Sequence, residues 1–442
     1  MPLFGRRSAP PPYGETRAAE RPVLPEPPPL RSDGLRSMAD HRDYLLSCID
    51  ELPPFGQQLI DVVGLSIAED VVSSISLPGF DNSAMDGYAV YAEDVERASQ
   101  EAPVSLPVVG EVAAGQSATH RLPPGTAMKI MTGAPVPPGA NTVVPYESTN
   151  RGVDDVLVSV PSIPGQHIRR RGEDIQQGRQ LYAAGDLLSP RDVGLLAAIG
   201  RDQVLVRPRP RVVVISTGSE LVQPGQPLNG DDQIYDSNSF LLAAAARAAG
   251  ASAFRVGLVS DDPDRVRQLV TDQLVRADLI VTTGGVSQGD YDIVKAVMPE
   301  LGATDFSGVA MQPGKPQGFG LIGAERTPMI MLPGNPVSAF VSFEAFVRPV
   351  IRKLMGTRPY TRTPVRCTTL HAISSMPGRQ QFARGIVRRG SDGSSQVELA
   401  GGHGSHLMGD LARANALVIL DEDTDFVASG DTVDVWLLAE ER

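Results

Sequence analysis

The chain has 442 residues, too many for one ordinary hydrophobic core, so two or more domains are expected. Its formal net charge of −12 excludes a general nucleic-acid binder, because affinity for phosphate backbones depends on clustered Lys and Arg. Cys48 and Cys367 provide neither a disulfide framework nor the spacing of a metal site, and a cytoplasmic location is the expectation. The sequence has no apolar run of about 18 residues and no apolar stretch typical of a signal peptide, so no membrane span is predicted.

The first part of the chain divides by composition. Residues 1–36 are rich in Pro and Arg and lack apolar periodicity, which predicts a disordered tail. Apolar residues at helical spacing over 41–49 predict a first helix, and a second helix is expected over 190–199. We assign 37–60 together with 160–206 to an N-terminal helical and linker domain.

The rest of the chain changes pattern twice. Residues 61–159 consist of short strand-like segments broken by Gly and Pro, which predict a β-rich domain. Over 207–357 apolar strands alternate with helices, a pattern typical of a parallel sheet covered on both faces. Over 358–442 strand-like segments with Gly turns predict a small β-barrel. The predicted fold class is multidomain α/β, with a central doubly wound parallel sheet, N-terminal β-rich domains and a C-terminal β-barrel.

Polar and glycine-rich loops follow the predicted strands of the α/β domain at their carboxyl ends, where open parallel sheets bind ligands. Glu220, Asp261 and Asp292 offer hard oxygen ligands on three of these loops, a set that Mg²⁺ accepts together with ligand phosphates. Gly284 and Gly285 allow backbone N–H groups to approach an anion closely. Taken singly, such loops also fit helix starts with capping residues. Their shared position at one sheet edge predicts a site.

Four motifs make the chain resemble a known family. They are Asn82-Ser83-Ala84-Met85-Asp86-Gly87-Tyr88-Ala89, Ile130-Met131-Thr132-Gly133-Ala134, Arg171-Gly172-Glu173-Asp174 and Gln312-Pro313-Gly314-Lys315-Pro316. In this order, and together with the strand-end loops, they resemble the molybdenum insertases of the MoeA/gephyrin E-domain family over nearly the whole chain. The resemblance implies that 207–357 is a molybdopterin-binding domain.

The reaction and its residues follow from the resemblance alone. Members of that family transfer molybdate into adenylylated molybdopterin, release AMP and depend on Mg²⁺, so a molybdopterin molybdotransferase is implied. The implied catalytic residues are Asp86, Thr132, Asp174, Glu220, Asp261 and Asp292, of which Glu220, Asp261 and Asp292 are also the metal ligands. The implied residues for the pterin and phosphate are Thr217, Gly218, Gly284, Gly285, Ser287, Gly289, Pro333, Gly334, Asn335 and Pro336. The implied molybdate ligands are Lys315, Pro316, Arg384 and Ser405.

Two positions depart from the family pattern. Gln312 stands where the family often has a second Lys, which removes one positive charge beside the implied molybdate pocket. Ser219 stands where the family frequently has Asp, and little loss is expected because Glu220 is kept. The resemblance further implies a homodimer whose active site is shared between subunits, with a MogA-type adenylyltransferase and molybdoenzymes as further partners.

Two other functions stay open at this point. The α/β domain also resembles the MogA-type adenylyltransferase that activates molybdopterin, although the flanking domains follow the insertase layout. A gephyrin-like dimeric scaffold for membrane or cell-division proteins is the second alternative, favoured only by the proline-rich tail. The sequence also leaves Asp86 open as a turn residue, since Asp-Gly favours tight hairpins, and it does not distinguish molybdate from tungstate.

Overall fold

The computed structural model describes residues 23–115, 120–259, 262–284, 293–391 and 393–438, except for the side chains of residues 258 and 259. Every helix within these ranges is too short or too polar to cross a lipid bilayer. The largest sheets have five or six strands, and each is covered by its own hydrophobic clusters.

A small N-terminal region is built from two distant stretches of the chain. Its elements are the strands Phe55–Gln58, Ser66–Ile67, Val71–Val72, Gln180–Tyr182 and Gln203–Arg207, the 3-10 turn Leu59–Asp61 and the helix Pro190–Ala198. The helix begins after Ser189, whose backbone N–H donates to the Asp192 carboxylate at 2.6 Å. This capping pair, with Pro190 at the first helical position, explains the start and confirms the helix predicted over 190–199.

A five-stranded sheet forms the β-rich region, in the order Thr142–Pro145, Gly87–Val90, Ala127–Ile130, Val104–Val112, Asp155–Val158. Tyr88 and Val90 pack into the core on one face, and Ala89 packs into the core on the other. The strand Gly87–Val90 is therefore buried throughout. Smaller elements flank the sheet: the paired strands Asn82–Ser83 and Ile168–Arg169, and the 3-10 turns Ala92–Val95 and Tyr146–Ser148.

The central sheet has six strands, in the order Ser252–Val259, Arg211–Thr217, Leu279–Thr283, Thr327–Leu332, Pro316–Ile322, Gly302–Gly308. Its first four strands are parallel. Val212 and Val214 enter one core, whereas Val213 and Ile215 enter the other. Helices cover both faces, which confirms the doubly wound domain; they are Asn238–Ala248, Pro263–Leu274, Ile293–Leu301, and the run Pro336–Ser342, Phe343–Val347 (a π-helical turn) and Arg348–Leu354.

The last two strands differ from the predicted all-parallel sheet. Gly302–Gly308 runs antiparallel to Pro316–Ile322, which runs antiparallel to Thr327–Leu332. A parallel connection needs a crossover of roughly a dozen residues or more, and the segments that join these strands are too short to contain one. The sheet is therefore mixed, and its parallel half keeps the strand ends at which the site was predicted. The short strands Leu221–Val222 and Ile234–Tyr235 pair beside one of those ends.

The first helix, Met38–Ser47, belongs to the core of the central region. Its Leu45 is 1% exposed and packs in the same cluster as the helical run that ends at Leu354. The sequence grouped this helix with 160–206, because local periodicity shows that a helix has an apolar face but not which sheet that face will cover.

Residues 23–36 fall within the predicted disordered tail, yet they contact two parts of the fold. Arg36 is 2% exposed and donates to Asp305 of the central sheet at 2.7 Å. Arg31 pairs with Glu422 of the C-terminal region and donates to the Gly378 carbonyl at 3.4 Å. A proline-rich segment needs no core of its own when its charges and backbone groups are satisfied on an existing surface.

The C-terminal region is a closed five-stranded barrel, as predicted. Its strands are Val365–Thr369, Gln380–Arg389, Ser395–Leu399, Ala416–Leu420 and Thr432–Leu437. Gln380–Arg389 pairs with both Ser395–Leu399 and Ala416–Leu420, which closes the ring. The short strand Met311–Gln312 of the central region pairs with the barrel and places Gln312 opposite Gln381. The remaining elements are the paired strands Ile373–Ser374 and Phe426–Val427, and the helix Met408–Arg413.

Candidate active site

A cleft of about 110 Å³ opens at the carboxyl ends of the parallel strands. Its walls come from three strand-end loops and from the start of the helix Asn238–Ala248. The lining residues include five of the predicted site residues: Thr217, Glu220, Gly284, Gly334 and Pro336. The positive end of that helix lies in the wall, which favours an anionic ligand. The structure therefore assembles the described part of the predicted strand-end site at one edge.

Glycine is favoured at two positions of this cleft, at Gly218 by its backbone conformation and at Gly284 also by a close backbone contact. A Cβ at Gly218, whose φ is +150°, would lie 2.5 Å from a carboxylate oxygen of Glu220. A Cβ at Gly284, whose φ is +92°, would lie 2.8 Å from the Thr217 carbonyl oxygen. The Glu220 carboxylate thus lies close to Gly218, and the strands Arg211–Thr217 and Leu279–Thr283 end close together, at Thr217 and Gly284.

Asn238 ties the loops of the cleft together, and the sequence analysis did not identify it. Its Nδ2 donates to Thr283 Oγ1 at 3.0 Å and to the Gly334 carbonyl at 2.6 Å. Thr283 Oγ1 in turn donates to the Pro333 carbonyl at 3.1 Å. One amide therefore joins the helix start to the ends of two strands.

Asp236 is a second residue that the sequence analysis missed. It is 1% exposed and accepts from Ser216 Oγ and from the Ser239 backbone N–H, both at 3.0 Å. Arg255 lies 3.6 Å from the same carboxylate. The run Asp236-Ser237-Asn238-Ser239 before an apolar helix was the available signal, because these residue types favour helix starts.

The predicted metal ligands are only partly described. Glu220 lies at the cleft, whereas Asp261 and Asp292 fall outside the described residues, as do Gly285, Ser287 and Gly289 of the glycine-rich loop. In the part of the chain that the structure does describe, no three metal-ligating side chains come together. The exposed carboxylate of Glu220 is a hard oxygen donor beside an anion-accepting helix start, and it fits one ligand position of a Mg²⁺ ion.

The predicted molybdate ligands lie where the barrel meets the central region. Arg384 is 5% exposed and donates to the Gly402 carbonyl and, at 2.9 Å, to the Gly404 carbonyl. Its Nε is buried and has no hydrogen-bond partner among the described residues. Burial lowers the pKa of the Arg384 guanidinium, and the nearby charge of Asp410 opposes that shift.

The barrel loop that contains Ser405 connects the surroundings of Arg384 to the strand-end cleft. The Ser405 carbonyl accepts from the Val337 backbone N–H at 3.0 Å, directly after Asn335 and Pro336. Lys315 and Pro316 are half-buried, and the Lys315 carbonyl accepts from the Val309 N–H at 2.7 Å. Arg384 and Ser405 therefore lie beside the loop 333–336, and Lys315 follows the short strand that pairs with the barrel.

Asp86, Thr132 and Asp174 lie in the N-terminal half, away from the strands of the central sheet. Asp86 Oδ1 accepts from the Thr132 backbone N–H at 2.7 Å and from Thr132 Oγ1 at 2.8 Å. These two hydrogen bonds lower the pKa of the exposed Asp86 carboxyl. Asp174 is exposed, and its carbonyl accepts from Arg179 at 3.1 Å. Asp86 and Thr132 are brought together, but the structure joins neither of them, nor Asp174, to the cleft.

Three family models together cover most of the chain. They describe the MoeA N-terminal region (domain I and II) at residues 36–200, a probable molybdopterin binding domain at 213–353 and the MoeA C-terminal region (domain IV) at 366–438. The chain belongs to the MoeA family. The resemblance drawn from the four motifs is thereby confirmed.

Relatives of this MoeA family member align over nearly its full length. Molybdopterin molybdenumtransferase 2 of Mycobacterium tuberculosis H37Rv is 44% identical over 412 residues, which is 91% of this chain and 99% of the relative. Molybdopterin molybdenumtransferase of a Nostoc species is 38% identical over 374 residues, 84% of this chain and 85% of the relative. The solved molybdopterin biosynthesis MoeA protein of Pyrococcus horikoshii has a TM-score of 0.77 and 31% identity, with 92% and 100% coverage.

Proposed function

We propose that this MoeA family member transfers molybdate into adenylylated molybdopterin and releases AMP, the last step of molybdenum cofactor biosynthesis. The observation that carries the proposal is that the strand-end cleft and the pocket around Arg384 adjoin each other. An anion-accepting cleft at the strand ends adjoins, through the hydrogen bond between Val337 and Ser405, a pocket that contains the buried cation Arg384. The names of the molybdopterin molybdenumtransferase relatives support the same assignment.

The strand-end cleft is suited to hold the pterin nucleotide by its phosphates. Thr217, Gly284 and Gly334 bring backbone close to the ligand space, and the N-terminal end of the helix Asn238–Ala248 lies in the same wall. Gly218, Pro333, Asn335 and Pro336, and outside the described residues Gly285, Ser287 and Gly289, complete the proposed binding set.

The proposal includes a Mg²⁺ ion, and one of its three proposed ligands lies among the described residues. Glu220 would hold the ion with Asp261 and Asp292, and when bound the ion would neutralise phosphate charge beside the cleft. The Glu220 side chain lies beside Gly218 and lines the cleft.

Arg384, Lys315, Pro316 and Ser405 form the proposed molybdate end. A dianion needs N–H and O–H donors, and the unpaired Nε of Arg384 is a buried donor that such an ion would satisfy. Gln312 lines the pocket without adding a charge, so the oxyanion would be held by fewer cations than in relatives with a second Lys.

A homodimer completes the proposed active site. Asp86, Thr132 and Asp174 lie on a separate part of the fold, and we place them at the cleft of the partner subunit. Phe80 and Met85, near Asp86 in sequence, are 51% and 37% exposed, which suits a contact surface. The same proposal includes a cytoplasmic location. It also includes two kinds of partner: a MogA-type adenylyltransferase that supplies the substrate, and molybdoenzymes that receive the product.

The direct test incubates the purified protein with adenylylated molybdopterin, molybdate and Mg²⁺ and measures AMP release. Release that depends on molybdate is expected, and Glu220→Gln is expected to reduce it by roughly a hundredfold because a charged ligand of the metal ion is lost. The matched control Glu325→Gln changes an exposed glutamate far from the cleft in sequence and should leave the rate unchanged. Formation of adenylylated molybdopterin from ATP by this protein alone would instead favour the adenylyltransferase alternative.

A further inference from the structure

A small cavity between the central region and the barrel contains a histidine that no role above requires. The cavity encloses about 20 Å³, room for about one water molecule or one oxygen of an oxyanion. Its polar lining residues are Gln312, Gln381, Arg384 and His403, and its other lining residues are apolar or glycine. No carboxylate is among its lining residues in the described part of the chain, and Asp410 accepts from the backbone N–H of the lining residue Gly402 at 3.3 Å.

Arg384 holds the loop that carries His403. Its two terminal nitrogens donate to the carbonyls of Gly402 and Gly404, the residues on either side of His403. Both terminal nitrogens are thereby held by the loop, and the buried Nε is without a partner in the described structure. A second donor beside this Nε would strengthen the hold on an oxyanion at the cavity.

The ring of His403 is oriented by a chain of two hydrogen bonds. Ser375 Oγ donates to Gln381 Oε1 at 2.9 Å, which leaves the Gln381 amide nitrogen as a donor. Gln381 Nε2 then lies 3.4 Å from His403 Nδ1. With the Gln381 amide oriented in this way, its N–H₂ donates and Nδ1 accepts, and the neutral ring then carries its proton on Nε2. His403 is exposed, so that N–H is available to a ligand.

We propose that His403 donates its Nε2–H to the oxyanion substrate at this cavity, beside Arg384 Nε. The inference rests on the proposed function and deepens it by adding a neutral donor to the molybdate end. Gln381 and Ser375 act through His403 as positioning residues. The arrangement gives this chain an oxyanion contact where Gln312 supplies no positive charge.

Calorimetric titration of the purified protein with sodium molybdate tests the inference. His403→Ala is expected to weaken binding by roughly tenfold or more, because a hydrogen bond to a charged acceptor is lost. His403→Gln keeps an N–H donor at similar reach and is expected to restore affinity to within about threefold of the wild type. His406→Ala is the matched control, since His406 is exposed on the same loop and does not line the cavity.

The outcomes separate the two proposals. Equal molybdate affinity of the wild type and His403→Ala overturns the role of His403 and leaves the proposed function standing. Failure of the wild type to bind molybdate at millimolar concentration overturns the molybdate end of the proposed function together with this inference. Long-range proton–nitrogen spectra of histidine-labelled protein provide an independent measurement: His403 with the proton on Nδ1 at neutral pH would contradict the proposed donor.

Discussion

Asn238 makes two hydrogen bonds in which its amide nitrogen is the donor. Its Nδ2 donates both to Thr283 Oγ1 and to the Gly334 carbonyl. A carboxylate at this position has the same shape but offers no donor, and it would face a carbonyl oxygen instead. The contact therefore depends on the chemistry of the side chain rather than on its size.

Asn238→Asp is expected to reduce AMP release by roughly tenfold or more, mainly through weaker binding of the pterin nucleotide, and to reduce the free energy of unfolding by about 1–3 kcal/mol. Rates measured against substrate concentration, with urea unfolding of the same samples, check both parts. Asn229→Asp introduces the same charge at an exposed loop position and should change neither quantity. Unchanged substrate binding in Asn238→Asp would show that the loop connection is dispensable.

Thr132 controls the protonation of Asp86. The Thr132 backbone N–H and hydroxyl both donate to Asp86, and they hold the pKa of that carboxyl below its usual range. Such a carboxylate stays charged as the pH falls, and any stability it contributes is present above the ordinary Asp pKa and lost only at lower pH. Thr132→Val removes the hydroxyl and leaves the backbone donor in place.

Thr132→Val is therefore expected to raise the pKa of Asp86 partway toward its ordinary value and to move the acid limb of the activity profile to higher pH. Carbon-detected NMR titration of Asp86 measures its pKa. Rates of AMP release measured from about pH 4 to about pH 8 measure the acid limb of the activity profile. Thr126→Val is the control, because the Thr126 hydroxyl donates to the Pro123 carbonyl and contacts no carboxylate. An unshifted Asp86 in Thr132→Val would contradict the assignment.

Residues 23–36 contact both the central region and the C-terminal barrel. Arg31 reaches the barrel at Glu422, and the Arg36 backbone N–H donates to the Gly308 carbonyl at 2.8 Å. The Arg36 guanidinium is buried against Asp305, with His41 Nδ1 3.2 Å away. A buried cation of this kind is costly once its partner is removed.

Asp305→Asn is expected to reduce the free energy of unfolding by about 3–5 kcal/mol, because it leaves Arg36 buried without an opposite charge. Replacing both residues, as in Arg36→Met with Asp305→Leu, should recover most of the loss. Urea unfolding of each variant measures these differences. The pair of Arg42 with the exposed Asp43 supplies the control, and Asp43→Asn should cost less than about 1 kcal/mol.

The alternation of strands and helices allowed the central elements to be predicted because it is a local property of the chain. The alternation predicted over 207–357 is seen, for example, in the strand Arg211–Thr217 followed by the helix Asn238–Ala248. The antiparallel strand Gly302–Gly308 and the destination of Met38–Ser47 were not predictable in this way, since both depend on contacts between distant segments. The same reason explains why the order of residues 23–36 was missed.

The part of the candidate site that could be predicted from the sequence is the part formed by glycines and acidic residues at the strand ends. Glu220, Gly284 and Gly334 meet in one cleft because parallel strands end at a common edge. Asp236 and Asn238 carry only the general signal of a helix start, and His403 carries no spacing signal. Their roles arise from neighbours supplied by other segments of the chain. Asp86 and Thr132 were predicted from motifs, and their place relative to the cleft depends on the proposed dimer.

Mixing variants tests whether two subunits share each active site. A two-fold dimer that combines Asp86→Ala in one subunit with Glu220→Ala in the other has one intact site and one doubly altered site. Random pairing of two inactive variants, produced by co-expression, is then expected to recover about a quarter of the wild-type AMP release, since half of the dimers are mixed and each has one intact site. Sites contained within single subunits would leave the mixture inactive. Co-expression of Thr217→Val with Glu220→Ala is the matched control: both changes lie in the same cleft, so mixed dimers contain no intact site and no recovery is expected in either arrangement.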